Sequence, residues 1–325
     1  AAVMGLLFAR RRIDPDMRAR QRVERIIMAL LIGCSCLAVL TTVGIVMSLL
    51  LESLQFFSKV SPVEFLFGIH WSPQTALRAD QVGSSGSFGA IPIFAGTLMI
   101  SLIAMLVAAP IGLFAAIYMA EYAKPKFRAT VKPILEILAG IPTVVYGFFA
   151  ALTIAPMIRE FGFSIGLDNP SSESALAAGL VMGIMIIPFV SSLSDDVIAA
   201  VPNSLREGSY GLGATKQEVL AKVVLPRSFG GIVGGTMLGL GRALGETIAV
   251  LMLIGSSQKV GDRLFANGDT LAAHIAATFQ DASPETLTAL LGIGVVLFIV
   301  TMIVNVIARL IVWRFARSAL AGDAL

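Results

Sequence analysis

The sequence predicts an all-α integral membrane protein with six membrane-spanning helices, and three observations support this prediction. Hydrophobic residues make up 56% of the 325-residue chain and charged residues only 14%, with a mean hydropathy of +0.86, unlike a soluble domain. Apolar runs long enough to cross a bilayer recur six times along the chain. Lysines and arginines are concentrated in alternate connections between these runs.

The predicted spans are helices because lipid offers backbone amides and carbonyls no outside hydrogen-bonding partner. The fourth run is short, and we expect its helix to extend into the flanking residues. The six spans are residues 26–51, 93–120, 131–154, 176–190, 230–255 and 287–312.

The distribution of positive charge predicts the topology. Of the 24 Lys and Arg residues, eighteen fall before span one, around the end of span six, or between spans two and three or four and five, with Lys132 and Arg309 counted at the span ends that they border. Five fall in the other connections, and one lies inside span five. The positive-inside rule then places both termini and the 121–132 and 192–229 segments in the cytoplasm. The eighteen are Arg10, Arg11, Arg12, Arg18, Arg20, Arg22, Arg25, Lys124, Lys126, Arg128, Lys132, Arg206, Lys216, Lys222, Arg227, Arg309, Arg314 and Arg317, and the five are Lys59, Arg78, Arg159, Lys259 and Arg263.

The two terminal segments and the first loop are assigned to opposite sides of the membrane. Residues 1–25 form a basic cytoplasmic segment, 52–88 an extracytoplasmic loop and 315–325 a cytoplasmic tail. The opening "AAVMGLLFARRR" reads as the end of an apolar segment, which predicts native sequence upstream; an ordinary leader end is the alternative. The basic arms are explained by topology, so no nucleic-acid partner is predicted.

The placement of the cysteines and histidines in the sequence does not predict a catalytic site. Cys34 and Cys36 do not share a helix face, and His70 and His274 fall in separate loops, where we expect solvated side chains. No metal site is predicted, and no G-x-x-x-x-G-K-[ST] loop for ATP is present.

The longest cytoplasmic connection, residues 194–229, predicts two short helices separated by Gly211 and Gly213. Ser204 with Glu207 and Thr215 with Glu218 have the spacing of capping boxes. An apolar face follows the second box and ends before Pro226. It is formed by Val219, Leu220, Val223 and Val224.

This connection resembles the "EAA" loop of ABC importer permeases. Glu207 is followed by the small residues Gly208 and Ser209 where the family has two alanines, then by Gly213, and the segment closes on Leu225 and Pro226. The resemblance implies that these residues form a coupling helix that seats in a cleft of an ATP-binding subunit.

A narrower resemblance, over about residues 89–314, is to PstC-type permease subunits of phosphate-specific ABC importers. It is carried by "EILAGIPTVVYGFFA", "IMIIPFVSSLSDDVI", "YGLGATKQEVLAKVVLP" and "GTMLGLGRALGETIAV". It implies a six-helix type I ABC importer fold in a bacterial inner membrane, with lipid around it. It also implies a PstA-type second permease, a PstB-type ATPase dimer holding ATP and Mg, and a PstS-type periplasmic phosphate-binding protein. No cofactor is expected on this chain.

Arg242 and Glu246 are the charged residues inside span five. Burying a charged group at that depth in a membrane costs free energy, so such residues usually have a function. On a continuous helix they fall on one face, together with Gly235, where they could pair. One interpretation is an ion pair that locks the bundle. The other is a phosphate site in which Arg242 binds the anion and Glu246 competes for it; the family resemblance implies the same role.

Three hydroxyl residues, Thr143, Tyr146 and Thr247, are predicted as further anion donors. Pro142 and Pro188 predict kinks in spans three and four, either lining a path or shaping the packing.

Two other functions remain open at this point. One is a permease for a different oxyanion such as sulfate or molybdate, whose coupling loop would look the same. The other is an ion-coupled secondary transporter or channel; such proteins often carry internal repeats, which are not evident here, and the coupling loop would be unexplained.

Overall fold

The computed structural model describes residues 19–72, 87–257, 264–282 and 284–322. Parts of the predicted terminal segments and first loop lie outside these ranges, as do Arg10, Arg11, Arg12, Arg18, Arg78, Lys259 and Arg263. The chain divides into two units, residues 1–51 and 52–325. Helix α1 (Ala19–Phe57) crosses that division. Within the first unit it is one uninterrupted helix, part of a stretch from Val23 that is long and apolar enough to span a membrane.

Among its described residues, the second unit consists of helices, their connections and one two-stranded hairpin. Strands β1 (Trp71–Ser72) and β2 (Ser87–Phe88) pair antiparallel, with Trp71 opposite Phe88. The remaining helices are α2 (Pro62–Phe67), α3 (Ile91–Ile117), α4 (Pro125–Gly140), α5 (Thr143–Leu152), α6 (Ile154–Ser164), α7 (Ala175–Ala199), α8 (Asn203–Gly211), α9 (Lys216–Val219), α10 (Leu225–Leu244), α11 (Ile248–Ile254), α12 (Leu271–Thr278) and α13 (Pro284–Gly322). Wide π turns at Tyr118–Tyr122 and Leu220–Val224 extend α3 and join α9 to α10, and a 3₁₀ turn at Phe279–Asp281 follows α12.

Five helical stretches in the described residues are long and apolar enough to cross a membrane: Val23–Phe57, Ile91–Tyr122, Ala175–Ala199, Lys216–Leu244 and Thr286–Arg314. The predicted third span is instead two helices, α4 and α5, bent by 85°. The bend falls at Ile141–Pro142, where proline has no N–H to continue the helix. Counting that pair as one broken span gives six.

Helices α3 and α7 form the centre of the second unit. Glycines on α7 allow the close approach, because a Cβ on Gly179 would lie 2.7 Å from the side chain of Ile103, and one on Gly183 would lie 2.9 Å from that of Val107. Small residues at such positions let membrane helices pack backbone to backbone. The central core, with Ile100, Ala178 and Ile186 fully buried, continues into α5 and α11.

A second core lies around the hairpin and contains a buried polar chain. The Trp71 indole N–H donates to Nε2 of His274 over 2.8 Å, and Nδ1 of His274 lies 2.6 Å from the Asp269 carboxylate. All three side chains are buried. The expectation of a solvated loop histidine is therefore wrong for His274. This residue is buried and lies within helix α12.

Candidate functional site

The predicted fifth span is interrupted where its charges lie. Helix α10 ends at Leu244, the next helix α11 begins at Ile248, and Gly245, Glu246 and Thr247 connect them. Arg242 therefore lies in the last turn of one helix and Glu246 just before the next. The continuous helical face inferred from sequence ends at the break.

Arg242 is half-buried and points toward α7. Its guanidinium carbon lies 5.9 Å from the centroid of the Phe189 ring. Helices α10 and α7 approach each other closely one turn before Arg242, where a Cβ on Gly239 would lie 3.2 Å from the side chains of Ile186 and Val190. The guanidinium makes no hydrogen bond or ion pair with the other residues that the structure describes.

Glu246 is held by the backbone of its own segment. Its Oε1 accepts a hydrogen bond from the Ala249 N–H over 3.3 Å, and its own N–H donates to the Ala243 carbonyl. The carboxylate thus satisfies one of the unpaired amides in the first turn of α11. The Thr247 hydroxyl donates to the Gly245 carbonyl over 3.2 Å.

A second interrupted helix carries Thr143 and Tyr146. Thr143 begins α5 directly after Pro142 and is half-buried. The Tyr146 hydroxyl reaches back across the break and donates to the Leu138 carbonyl over 3.0 Å. This carbonyl also accepts from the Ile141 N–H, so the tyrosine is its second donor and links the two sides of the bend.

The two interrupted elements touch each other. A Cβ on Gly147 would lie 3.0 Å from both the Ala249 Cα and the Met252 sulfur, so α5 packs directly on α11. The structure thus brings the helix bearing Tyr146 against the helix that follows Glu246 and Thr247. It shows no hydrogen bond from Thr143, Tyr146 or Thr247 to Arg242 among the described residues.

The predicted coupling segment consists of helix α8, the turn that follows it and helix α9. Helix α8 carries Glu207, Gly208 and Ser209; the Glu207 carboxylate is exposed, and a Cβ on Gly208 would touch nothing within 4 Å. The Ser209 hydroxyl is used internally, donating to the Leu205 carbonyl over 2.7 Å. The outward face of α8 is therefore open around Glu207.

The turn after α8 depends on glycine. Gly213 has a φ of +82°, in the left-handed region that side chains disfavour. The turn presents Leu212 with 91% of its surface exposed, next to the half-exposed Tyr210. Sequence reasoning did not single out Leu212 or Tyr210; their position beside Gly213 was the available signal.

The structure forms one of the two predicted capping boxes. Thr215 and Glu218 form the predicted capping box, with the Glu218 carboxylate 2.9 Å from the Thr215 N–H. Ser204, by contrast, lies inside α8 and caps nothing, because the helix already begins at Asn203 after Pro202. The apolar face packs as predicted, with Val219 and Val224 buried against Ala116 and Ile198.

Leu225 and Pro226 do not terminate a helix. They begin α10, joined to α9 through the π turn at Leu220–Val224. A wide turn accommodates the proline, which would otherwise clash with the carbonyl four residues earlier. The coupling segment is thus continuous with the span that carries Arg242.

A known family covers most of the second unit. The family described as "Binding-protein-dependent transport system inner membrane component" matches residues 108–318, more than half of the chain. The chain belongs to this family. It is therefore a multi-pass membrane permease subunit of an ABC importer, works with an ATPase and a substrate-binding protein, and is not itself an enzyme.

Individual relatives are phosphate permeases by name. The phosphate transport system permease protein PstC of Xylella fastidiosa (strain Temecula1) is 37% identical over 270 residues, 79% of this permease and 80% of that protein. The protein of the same name from Pasteurella multocida (strain Pm70) is 40% identical over 246 residues, covering 71% and 77%.

The fold also matches a solved permease structure. A bacterial alginate ABC transporter in complex with an alginate-pentasaccharide-bound periplasmic protein superimposes with a TM-score of 0.59 at 16% identity, covering 90% of this permease and 96% of that chain. At that identity the likeness shows the fold alone, and it is the type I ABC importer permease fold that the sequence predicts.

Proposed function

We propose that this permease forms half of the translocation path of an ATP-driven phosphate importer. The observation that carries the proposal is the Arg242 guanidinium, half-buried at a break in a membrane span and without a hydrogen-bonding partner among the described residues. A permanently charged, planar fork is suited to bidentate hydrogen bonds with an oxyanion. The PstC-named relatives supply the substrate class.

Glu246 provides the balancing charge in this proposal without holding Arg242 directly. Its carboxylate is anchored on the Ala249 N–H, so it lowers the local positive potential while the Arg242 donors remain available. A transport site must release its anion, and a fixed negative charge nearby keeps binding weak. Thr143, Tyr146 and Thr247 are proposed as hydroxyl donors to the phosphate oxygens, with Tyr146 and Thr247 giving up their present carbonyl partners.

The assembly around the permease is proposed to follow the phosphate importers. It comprises a PstA-type permease, a PstB-type dimer that binds ATP and Mg, and a PstS-type phosphate-binding protein in the periplasm. The coupling segment, with Glu207, Gly213 and the exposed Leu212, contacts the ATPase. Both termini lie in the cytoplasm of a bacterial inner membrane, in keeping with the charge distribution.

The proposal is tested by reconstituting the four-component complex in vesicles with labelled phosphate. Uptake should require ATP inside and binding protein outside. Arg242→Gln should abolish uptake while the complex still purifies intact, and the exposed Arg314→Gln should serve as a matched control with normal uptake.

Two results would contradict the proposal. Uptake that excess sulfate or molybdate suppresses more strongly than unlabelled phosphate does would assign a different oxyanion. Uptake driven by an ion gradient without ATP would assign a secondary transporter.

A further inference from the structure

The coupling helix is joined to the membrane core by one largely buried ion pair. Arg206 on α8 donates through Nη2 and Nε to Oε1 of Glu121, at 2.9 and 3.2 Å. Glu121 lies in the π turn that ends α3. The two side chains are only 13% and 10% exposed, unlike the surface pair Arg20–Glu24 at 91% and 59%.

Arg206 also donates hydrogen bonds to backbone carbonyls at the end of α7. Nη2 also donates to the Ile198 carbonyl in the last turn of α7 over 2.8 Å, and Nη1 donates to the Val201 carbonyl just beyond it. One guanidinium therefore holds the end of α3, the end of α7 and the coupling helix together. Arginine is the residue that can do this, because its five N–H groups form a rigid, planar set.

The part of the coupling segment that follows Gly213 also contacts the end of α3. Lys216, at the start of α9, donates to the backbone carbonyl of Glu121 and lies 4.6 Å from the centroid of the Tyr122 ring. The two limbs on either side of Gly213 thus converge on Glu121 and Tyr122. A displacement of the segment cannot leave the end of α3 behind without breaking these charged contacts.

Helices α3 and α7 lead from this junction to the candidate site. They pack closely along their length, and α7 contacts α10 at Gly239, next to the Phe189 ring that faces Arg242. Adjacent residues on α8 also have opposite surroundings: Arg206 is turned inward onto α3 and α7, while Glu207 is exposed. A force applied to the exposed face of α8 would therefore reach α3 and α7 through the Arg206 contacts.

We infer that Arg206 and Glu121 are positioning residues for energy coupling: their ion pair transmits movement of the coupling helix to α3 and α7. The inference rests on the proposed ATP-driven function. It assigns to Glu121 a role in transport although it touches neither substrate nor ATPase, and although it lies outside the coupling segment in sequence.

The test uses the complete reconstituted complex and measures phosphate uptake and ATP hydrolysis together. Glu121→Gln removes the charge and weakens the pair while leaving an acceptor of the same shape, and Glu24→Gln in the exposed pair is the control. We expect Glu121→Gln to assemble and to keep its ATP hydrolysis without binding protein. Phosphate moved per ATP should fall by about fivefold, whereas the control should not change it.

A second variant guards against misfolding as the cause. Arg206→Lys keeps a positive charge near Glu121 but cannot contact three elements at once, so its uptake per ATP should fall in the same direction, with normal recovery of the complex. If either variant assembles and keeps the wild-type ratio of uptake to hydrolysis, the inference is wrong. If the unmodified complex itself takes up no phosphate, the proposed function fails instead, which distinguishes the two.

Discussion

Arg242 and Glu246 lie four residues apart in sequence, yet they belong to different helices and form no ion pair. Arg242 ends α10 beside the Phe189 ring, and Glu246 caps the backbone of α11. This arrangement removes the main argument for a simple ion-pair lock, because a lock requires the two charges to be in contact. It leaves a cation without an ion-pair partner among the described residues and a carboxylate that is hydrogen-bonded to its own backbone segment.

The first prediction separates the charge of Glu246 from its capping role. Glu246→Gln should assemble normally, because an amide oxygen still accepts from the Ala249 N–H, but phosphate release and hence uptake should slow. Glu246→Ala should in addition lose about 0.5–2 kcal/mol of stability with the cap. Vesicle uptake and thermal unfolding of the purified complex measure the two effects.

The paired variant decides whether the two charges form a substrate site or a lock. Arg242→Gln with Glu246→Gln should assemble without transporting, and Arg242→Lys should also lose most transport because an ammonium lacks the planar fork. A double variant with normal phosphate uptake would eliminate Arg242 as the anion-binding group.

The second prediction concerns the turn at the coupling surface. Gly213→Ala places a side chain at a φ of +82° and should strain the turn by about 1–2 kcal/mol, displacing Leu212. Gly211→Ala is a matched control, since a Cβ there also meets nothing within 4 Å but the backbone is helical. Stimulation of ATP hydrolysis by loaded binding protein should fall only for Gly213→Ala; equal stimulation in both would refute the role of the turn.

The third prediction compares two adjacent carboxylates at the end of α7. Asp195 is fully buried and accepts from Arg128 at 2.9 Å and Lys132 at 3.2 Å, which ties α4 to α7. Asp195→Asn should cost about 1–3 kcal/mol of stability, because the two cations lose a charged partner. Asp196→Asn should cost at most about 1 kcal/mol, since Asp196 is 58% exposed. Unfolding of each variant in detergent provides the comparison, and equal losses would argue against the Asp195 contact.

The fourth prediction tests the buried chain under the hairpin. His274→Ala removes the acceptor of the Trp71 indole N–H and should destabilise the second unit by about 1–3 kcal/mol. His70→Ala, one residue before Trp71 and exposed, should leave the unfolding temperature unchanged. A His274→Ala protein as stable as wild type would show that this chain contributes little.

The fifth prediction concerns orientation. In a Cys34→Ala, Cys36→Ala background, a cysteine at Asp168 should react with an impermeant thiol reagent from the periplasmic side, and one at Lys126 should not. Both positions are exposed and can therefore react with the reagent, unlike a buried position such as Asp269. Labelling in the reverse pattern would invert the proposed topology.

Local patterns were readable from the sequence because their physical causes are local. The length and polarity of each apolar run fixed the spanning segments, and the Thr215–Glu218 spacing fixed a helix start that the structure confirms. The apolar face around Val219 was likewise predicted, since helical periodicity alone determines which residues share it. The family resemblance covered the coupling segment residue by residue.

What the sequence could not determine depends on contacts between distant segments. The break at Gly245–Thr247 lies within a run of apolar residues that reads as one helix, and it persists because Glu246 replaces the missing backbone partners and α11 packs on Gly147 of α5. The burial of His274 depends on Trp71, 203 residues away. The junction of Arg206 with Glu121 spans 85 residues and three helices. The sequence by itself determined which segments are apolar enough to enter the membrane, because hydrophobicity acts on each segment separately. Only the tertiary structure decided where the helices break and which charges meet, because those outcomes are set by the packing of helices that are far apart along the chain.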